Sequence, residues 1–89
     1  MGETLGTLTK IYRPILASSV ETVDKGLIIV TDKGEYLVEW KDCSQRLERA
    51  SSEERSKWEL SPSGYGIHWY LLDEDLSIAG LMSKAEKLE

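Results

Sequence analysis

Two copies of the tripeptide Asp-Lys-Gly, at Asp24-Lys25-Gly26 and Asp32-Lys33-Gly34, cut the densest run of β-branched and aromatic residues into three short blocks. Val20 and Val23 precede the first copy, Leu27 to Val30 lie between the two, and Tyr36, Val38 and Trp40 follow the second. A Gly at the end of each linker accepts a positive φ at little cost, which a short bulged hairpin requires. The pattern predicts an antiparallel β-meander with Gly26 and Gly34 as its structural glycines. The third block alternates, with Tyr36, Val38 and Trp40 on one face and Glu35 and Glu39 on the other. The second block is apolar on both faces and is therefore expected in the middle of the sheet, covered more fully than its neighbours.

Beyond the meander the periodicity changes. Asp42 to Leu47 fits a cap and a single helical turn around Leu47. Ser51-Ser52-Glu53-Glu54 has the form of a capping box, in which the Ser51 hydroxyl and the Glu54 carboxylate satisfy each other's backbone amides. The helix it opens is expected to carry Trp58 as its apolar anchor and to end in the turn cluster Ser61-Pro62-Ser63-Gly64. Tyr65 to Leu72 alternates again and reads as a fourth strand. Leu76, Ala79, Leu81, Met82 and Ala85 then recur at near-helical spacing, interrupted by Gly80. The expected fold class is α+β, with a three-stranded antiparallel meander, a fourth strand and two short helices. Residues 1–14 read as a flexible lead-in, 15–85 as one domain and 86–89 as a terminal tail, with Leu88-Glu89 resembling a tag-derived ending.

The size supports this reading, because 89 residues can build one core but not two. The longest aliphatic run, Leu27 to Val30, is far short of a membrane span, and no basic-then-apolar leader or lipidation pattern opens the chain. Cys43 is the sole cysteine, so no internal disulfide framework exists. A cytoplasmic location is expected. With 16 acidic against 11 basic residues and a net charge of −5, direct binding to a phosphate backbone is disfavoured and a basic protein partner is favoured.

The chemistry-bearing residues concentrate in Gly64 to Ser77, which holds the chain's single His, one of its three Trp and three consecutive carboxylates. His68, Asp73, Glu74 and Asp75 have the donor types of a metal site. In a continuous strand, however, the ~3.3 Å rise per residue carries His68 roughly 16 Å from Asp73, so convergence needs a sharp reversal. Counting an EF-hand loop from Asp73 puts Ile78 at the turn Gly and Lys84 at the bidentate Glu, so that motif also fails. The alternative is that Asp75 caps a helix starting at Leu76, with Asp73 and Glu74 near its positive end. Cys43 and His68 could form a thiol and base, but no nucleophile signature surrounds Cys43. Gly64-x-Gly66 lacks the third Gly and the Lys of a phosphate loop.

The run CSQRLERASSEERSKWELSPSGYGIHWYLLDEDLSIAGLM, from Cys43 to Met82, resembles the small bacterial domain-of-unknown-function family 2442. Members of that family end in a stretch like Gly-Ile-His-Trp-Pro followed by Asp-Glu-Asp and a Leu-rich helix. The similarity extends loosely back to about Leu16. His68, Trp69, Asp73, Glu74 and Asp75 match the motif, whereas the family's Pro is Tyr70 here, which restores a backbone amide. The resemblance implies an α+β domain and a gene pair with a second small protein, often of domain-of-unknown-function family 4160, hence an antitoxin-like role. Some relatives carry an appended helix-turn-helix, which is not expected after Met82 here.

The expected function is a non-enzymatic protein-interaction module without cofactor or metal. Its candidate contact residues are His68, Trp69, Asp73, Glu74 and Asp75, and its structural residues are Trp58, Ser51, Glu54, Gly26 and Gly34. The alternatives are a DNA-associated regulator and a small Cys/His-dependent or metal-dependent enzyme, and a homodimer through an exposed strand edge is also open.

Overall fold

The computed structural model describes residues 15–88, so the lead-in at 1–14 and the last residue of the tail, Glu89, lie outside the described residues. The fold is α+β. Three strands form the meander, β1 (Ser19–Thr22), β2 (Gly26–Thr31) and β3 (Gly34–Glu39), followed by three short helices, α1 (Trp40–Cys43), α2 (Gln45–Glu48) and α3 (Ser52–Ser56). Strands β4 (Trp58–Leu60), β5 (Gly66–Trp69) and β6 (Glu74–Ser77) come next, then α4 (Ile78–Met82) and β7 (Glu86–Lys87). They make two antiparallel sheets, ordered β1-β2-β3-β7 and β4-β5-β6.

Strand β2 is internal, as its two-faced apolarity requires, and Leu27 and Ile29 on its inner face are fully buried. The two Asp-Lys turns are closed differently. Gly34 takes φ 126, the positive value the second turn demands, and Thr31 Oγ1 accepts from the Lys33 amide at 3.0 Å. Gly26 does not have a positive φ; it is required because a Cβ there would run into the Val38 carbonyl of the paired strand. Strand β3 stops at Glu39, so Trp40 opens α1 instead of extending the strand. Its ring is buried all the same, held by an indole N–H donated to the Val23 carbonyl at 3.1 Å.

The capping box is present: the Ser51 hydroxyl accepts from the Glu54 amide at 3.1 Å, and the Ser51 amide donates to Glu54 Oε1 at 2.9 Å. The helix it opens is only five residues long and excludes Trp58, correcting the sequence expectation. A helix this short has little stability of its own. Trp58 and Leu60 gain more by pairing with Trp69 and Ile67, so the chain returns to extended structure. The turn cluster Ser61 to Gly64 therefore joins two strands and does not end a helix.

The expected single strand from Tyr65 to Leu72 is a hairpin instead. Strand β5 ends at Trp69, Tyr70 to Asp73 turn, and β6 runs back with Trp69 opposite Glu74 and His68 opposite Asp75. The C-terminal helix starts two residues later than expected, at Ile78, and its N-cap is Ser77, whose hydroxyl accepts from the Gly80 amide at 2.9 Å. Residues 86 and 87, read from sequence as tail, pair with Leu37 and Tyr36, and the Leu88 amide donates to the Glu35 carbonyl at 2.8 Å.

One core joins the two sheets and the helices: Val20, Leu27, Ile29 and Val38 from the first sheet, Ile67 and Trp69 from the second, and Trp40, Leu47, Ile78 and Leu81 from the helices. Arg55 ties three of these parts together. Its Nε donates to the Leu47 carbonyl at 2.9 Å and its Nη2 to the Glu48 carbonyl at 2.8 Å, at the open C-terminal end of α2. The guanidinium stands 4.8 Å over the Trp40 ring, and the Arg55 carbonyl accepts the Trp69 indole N–H at 2.9 Å. Hydrogen bonds to charged groups contribute about 1.5–3 kcal/mol each, so Arg55→Ala is expected to lower the unfolding free energy by about 2–3 kcal/mol in urea titrations. Arg55→Lys is expected to recover little of it, because an ammonium cannot reproduce the planar fork.

Candidate functional site

The second sheet has a core face and an outer face. Register puts Trp58, Trp69 and Glu74 on one rung and Leu60, Ile67 and Leu76 on another, and the apolar members of both pack into or against the core. The intervening rung, Glu59, His68 and Asp75, points outward from three successive strands. Side-chain alternation along each strand enforces this arrangement, because the neighbours of buried residues must face solvent. An imidazole thus sits between two carboxylate-bearing positions.

On one side the contact is direct. His68 Nδ1 lies 2.8 Å from Asp75 Oδ1, with the His68 side chain 36% and the Asp75 side chain 80% exposed. The hydrogen-bond pattern favours this pairing. Ser61 donates its amide to the Gly66 carbonyl and Ile78 donates to the Tyr65 carbonyl, which fixes which residues of β5 bond to which neighbour. His68 bonds through its backbone toward β4, so its position opposite Asp75 is a non-hydrogen-bonded pair, the kind in which facing side chains approach most closely.

Above this row is an open concavity of about 570 Å³, lined among others by Glu59, Pro62, Tyr65, His68, Asp75 and Ser77. Gly66 and the exposed Tyr65 also belong to its lining. The lining includes two carboxylates and no Lys or Arg. Two of its hydroxyls are engaged: Ser61 Oγ accepts from the Tyr65 and Gly66 amides at 2.9 and 3.1 Å, and Ser77 Oγ caps α4.

The five candidate contact residues separate. Trp69 is fully buried, so it belongs to the core and offers no contact surface, because its β5 position faces inward. Glu74 lies 3.8 Å from Arg46, whose Nη1 also donates to the carbonyls of Leu72 at 2.9 Å and Asp73 at 3.2 Å. Glu74 therefore helps clamp the hairpin turn. Asp73 supplies that turn's backbone, at φ 52, a left-handed conformation that Asp tolerates better than most residues. Asp73, Glu74 and Asp75 do not cap a helix, since β6 intervenes. Only His68 and Asp75 meet on the surface, and Glu59 joins them unforeseen. Its signal was the alternation of Trp58-Glu59-Leu60, masked by the capping box just upstream.

The reversal a metal site would need does occur, but it brings together one imidazole and one carboxylate. No group of three or more metal-ligating side chains converges among the described residues. Cys43 is buried in a different part of the fold, with its Sγ 3.8 Å from the Val38 carbonyl. Burial, reinforced by neighbouring Asp42, pushes its thiol from the ordinary 9.0 up to about 12. No helix among the described residues is long and apolar enough to cross a membrane.

The family model described as Protein of unknown function (DUF2442) matches residues 17–87. The chain belongs to this family. A crystal structure at 2.75 Å of a protein of unknown function from Rhodospirillum rubrum is similar, with 30% identity and a TM-score of 0.69, covering 80% of this chain and 88% of that one. No curated protein matches. The matched span of the DUF2442 domain includes β7, so the terminal pairing of Glu86 and Lys87 lies within the family's extent.

Two outcomes check this geometry. The fold favours the neutral Cys43 thiol, whereas the unfolded thiol ionises near 9.0, so this stabilisation is whole below pH 9.0 and drains between pH 9.0 and about 12. Urea melts from pH 8 to 10 are expected to show a shallower alkaline decline for Cys43→Ala than for the native protein. At the hairpin turn, Asp73→Gly is expected to preserve thermal stability, while Asp73→Val loses about 1–2 kcal/mol because a β-branched residue resists the left-handed backbone.

Proposed function

We propose that this DUF2442 domain is a non-enzymatic protein-interaction module that grips a basic segment of a partner protein on the outer face of its second sheet. The observation that carries the reading is the Glu59, His68 and Asp75 row beneath a concavity whose lining includes carboxylates and no Lys or Arg. A Lys or Arg side chain entering it would meet two carboxylates and an aromatic side chain, Tyr65. The same lining works against a phosphate backbone, and so against direct reading of DNA.

The non-enzymatic part of the reading rests on how the reactive groups are occupied. The Ser61 and Ser77 hydroxyls are committed to backbone amides, and the Cys43 thiol is held protonated away from the imidazole. The Nδ1 contact with Asp75 orients the ring, leaving its Nε2 side to a partner's hydrogen-bonding group. The partner class is a basic protein, and the first candidate is the small neighbour-encoded protein that the family resemblance implies, in an antitoxin-like pair. A cytoplasmic setting accords with a buried, unpaired thiol.

Calorimetric titration of the full chain with that neighbour tests the reading. The double variant Glu59→Lys/Asp75→Lys, with an unchanged circular dichroism spectrum, is expected to weaken binding by a factor of ten or more, and added salt is expected to weaken native binding further. His68→Ala should cost less than the double reversal. Native affinity in the double variant would remove the outer face of this sheet from consideration.

A further inference from the structure

The first sheet also has an outer face, which the proposed function does not use. Leu27, Ile29, Val20 and Val38 point inward and are buried, so alternation sends Ile28, Val30 and Leu37 outward. All three are only partly covered. One rung crosses all four strands, Glu21 to Ile28 to Leu37 to Glu86, with a carboxylate at each end and two aliphatic side chains between. The next rung carries Val30 opposite Glu35, and Glu39 lies on the same face beyond Leu37. Lys41 reaches Glu39 at 3.7 Å, but the outward positions of these strands include no Lys or Arg.

We infer that this face is a second docking surface, for an amphipathic helix of a partner protein with an aliphatic stripe flanked on both sides by Lys or Arg. The dimensions agree. Three interstrand spacings of ~4.8 Å separate the chains bearing Glu21 and Glu86 by ~14 Å, and an α-helix with its side chains is ~10–12 Å wide. A helix laid over β2 would bury Ile28, Val30 and Leu37 and place one flank against Glu21 on β1 and the other against Glu35 and Glu39 on β3 and Glu86 on β7. A second copy is the wrong occupant, because the same face would bring its own glutamates against these.

The test uses isotope-labelled full-length protein and a synthetic helical peptide of Leu and Lys with its leucines on one stripe, alongside a version with every Lys replaced by Glu. The Lys peptide is expected to shift the backbone amide resonances of Ile28, Val30 and Leu37, whatever it does at β5 and β6, and the Glu peptide to leave all three in place. Read at Ile28 and Leu37, Glu21→Lys/Glu86→Lys, which alters only exposed side chains, is expected to weaken the Lys peptide about ten-fold, whereas Glu59→Lys/Asp75→Lys leaves the titration of those two amides unchanged. That pair of variants separates failure here from failure of the second-sheet reading. Shifts confined to β5 and β6, equal binding of the Glu peptide, or no binding would overturn the inference. So would amide shifts across β2 and β3 on raising protein concentration alone, which would give the face to a second copy, or contacts from residues 1–14 to Ile28 or Leu37 in the free chain.

Discussion

Arg55 is the constraint on which the rest of the structure depends. Three short helices in succession leave many backbone carbonyls without intrahelical partners, and a chain this small cannot bury them unsatisfied. The Arg55 fork takes two of those carbonyls, at Leu47 and Glu48, while its plane covers the Trp40 ring and its own carbonyl receives the Trp69 indole. One residue therefore fixes the helical linker to the first sheet through Trp40 and to the second through Trp69. Elements of four and five residues hold their places because of it.

With the linker fixed, the second sheet has little freedom in how it presents itself. Trp69 and Ile67 must face the core, so His68 between them must face out, and the Asp73 turn sets which residue of β6 lies opposite it. Arg46 fastens that turn from α2 by donating to the Leu72 and Asp73 carbonyls. The outer row of Glu59, His68 and Asp75 is thus positioned by packing on the opposite face. The same alternation in the first sheet turns the half-buried Ile28 and Leu37 outward.

How much of this the sequence discloses depends on the range of the interaction concerned. The meander, the central place of β2 and the capping box at Ser51 are local or period-two signals and can be read directly from Asp-Lys-Gly spacing, β-branched runs and Ser-x-x-Glu. The Trp58 helix and the Tyr65 to Leu72 strand mislead because short apolar alternations carry no mark of where a chain reverses. At Asp73 the reversal rests on a left-handed Asp with no Gly to announce it. The role of Arg55 was invisible, since nothing in a linear string distinguishes a guanidinium that bridges carbonyls from one in solvent. The candidate site was legible in part: His68 and Asp75 stand together as a pair, but Trp69 belongs to the interior, and Glu59 arrives from a strand that only pairing reveals.

The two faces of the second sheet are written in interleaved positions. Because the inward residues satisfy the protein's own interior and the outward ones do not, sequence drift can act on the two sets separately. A change of side chain at 59, 68 or 75 therefore alters what the surface offers and leaves the packing of Ile67, Trp69 and Leu76 as it is. Recognition and stability are thereby carried by separate sets of atoms on one thin sheet.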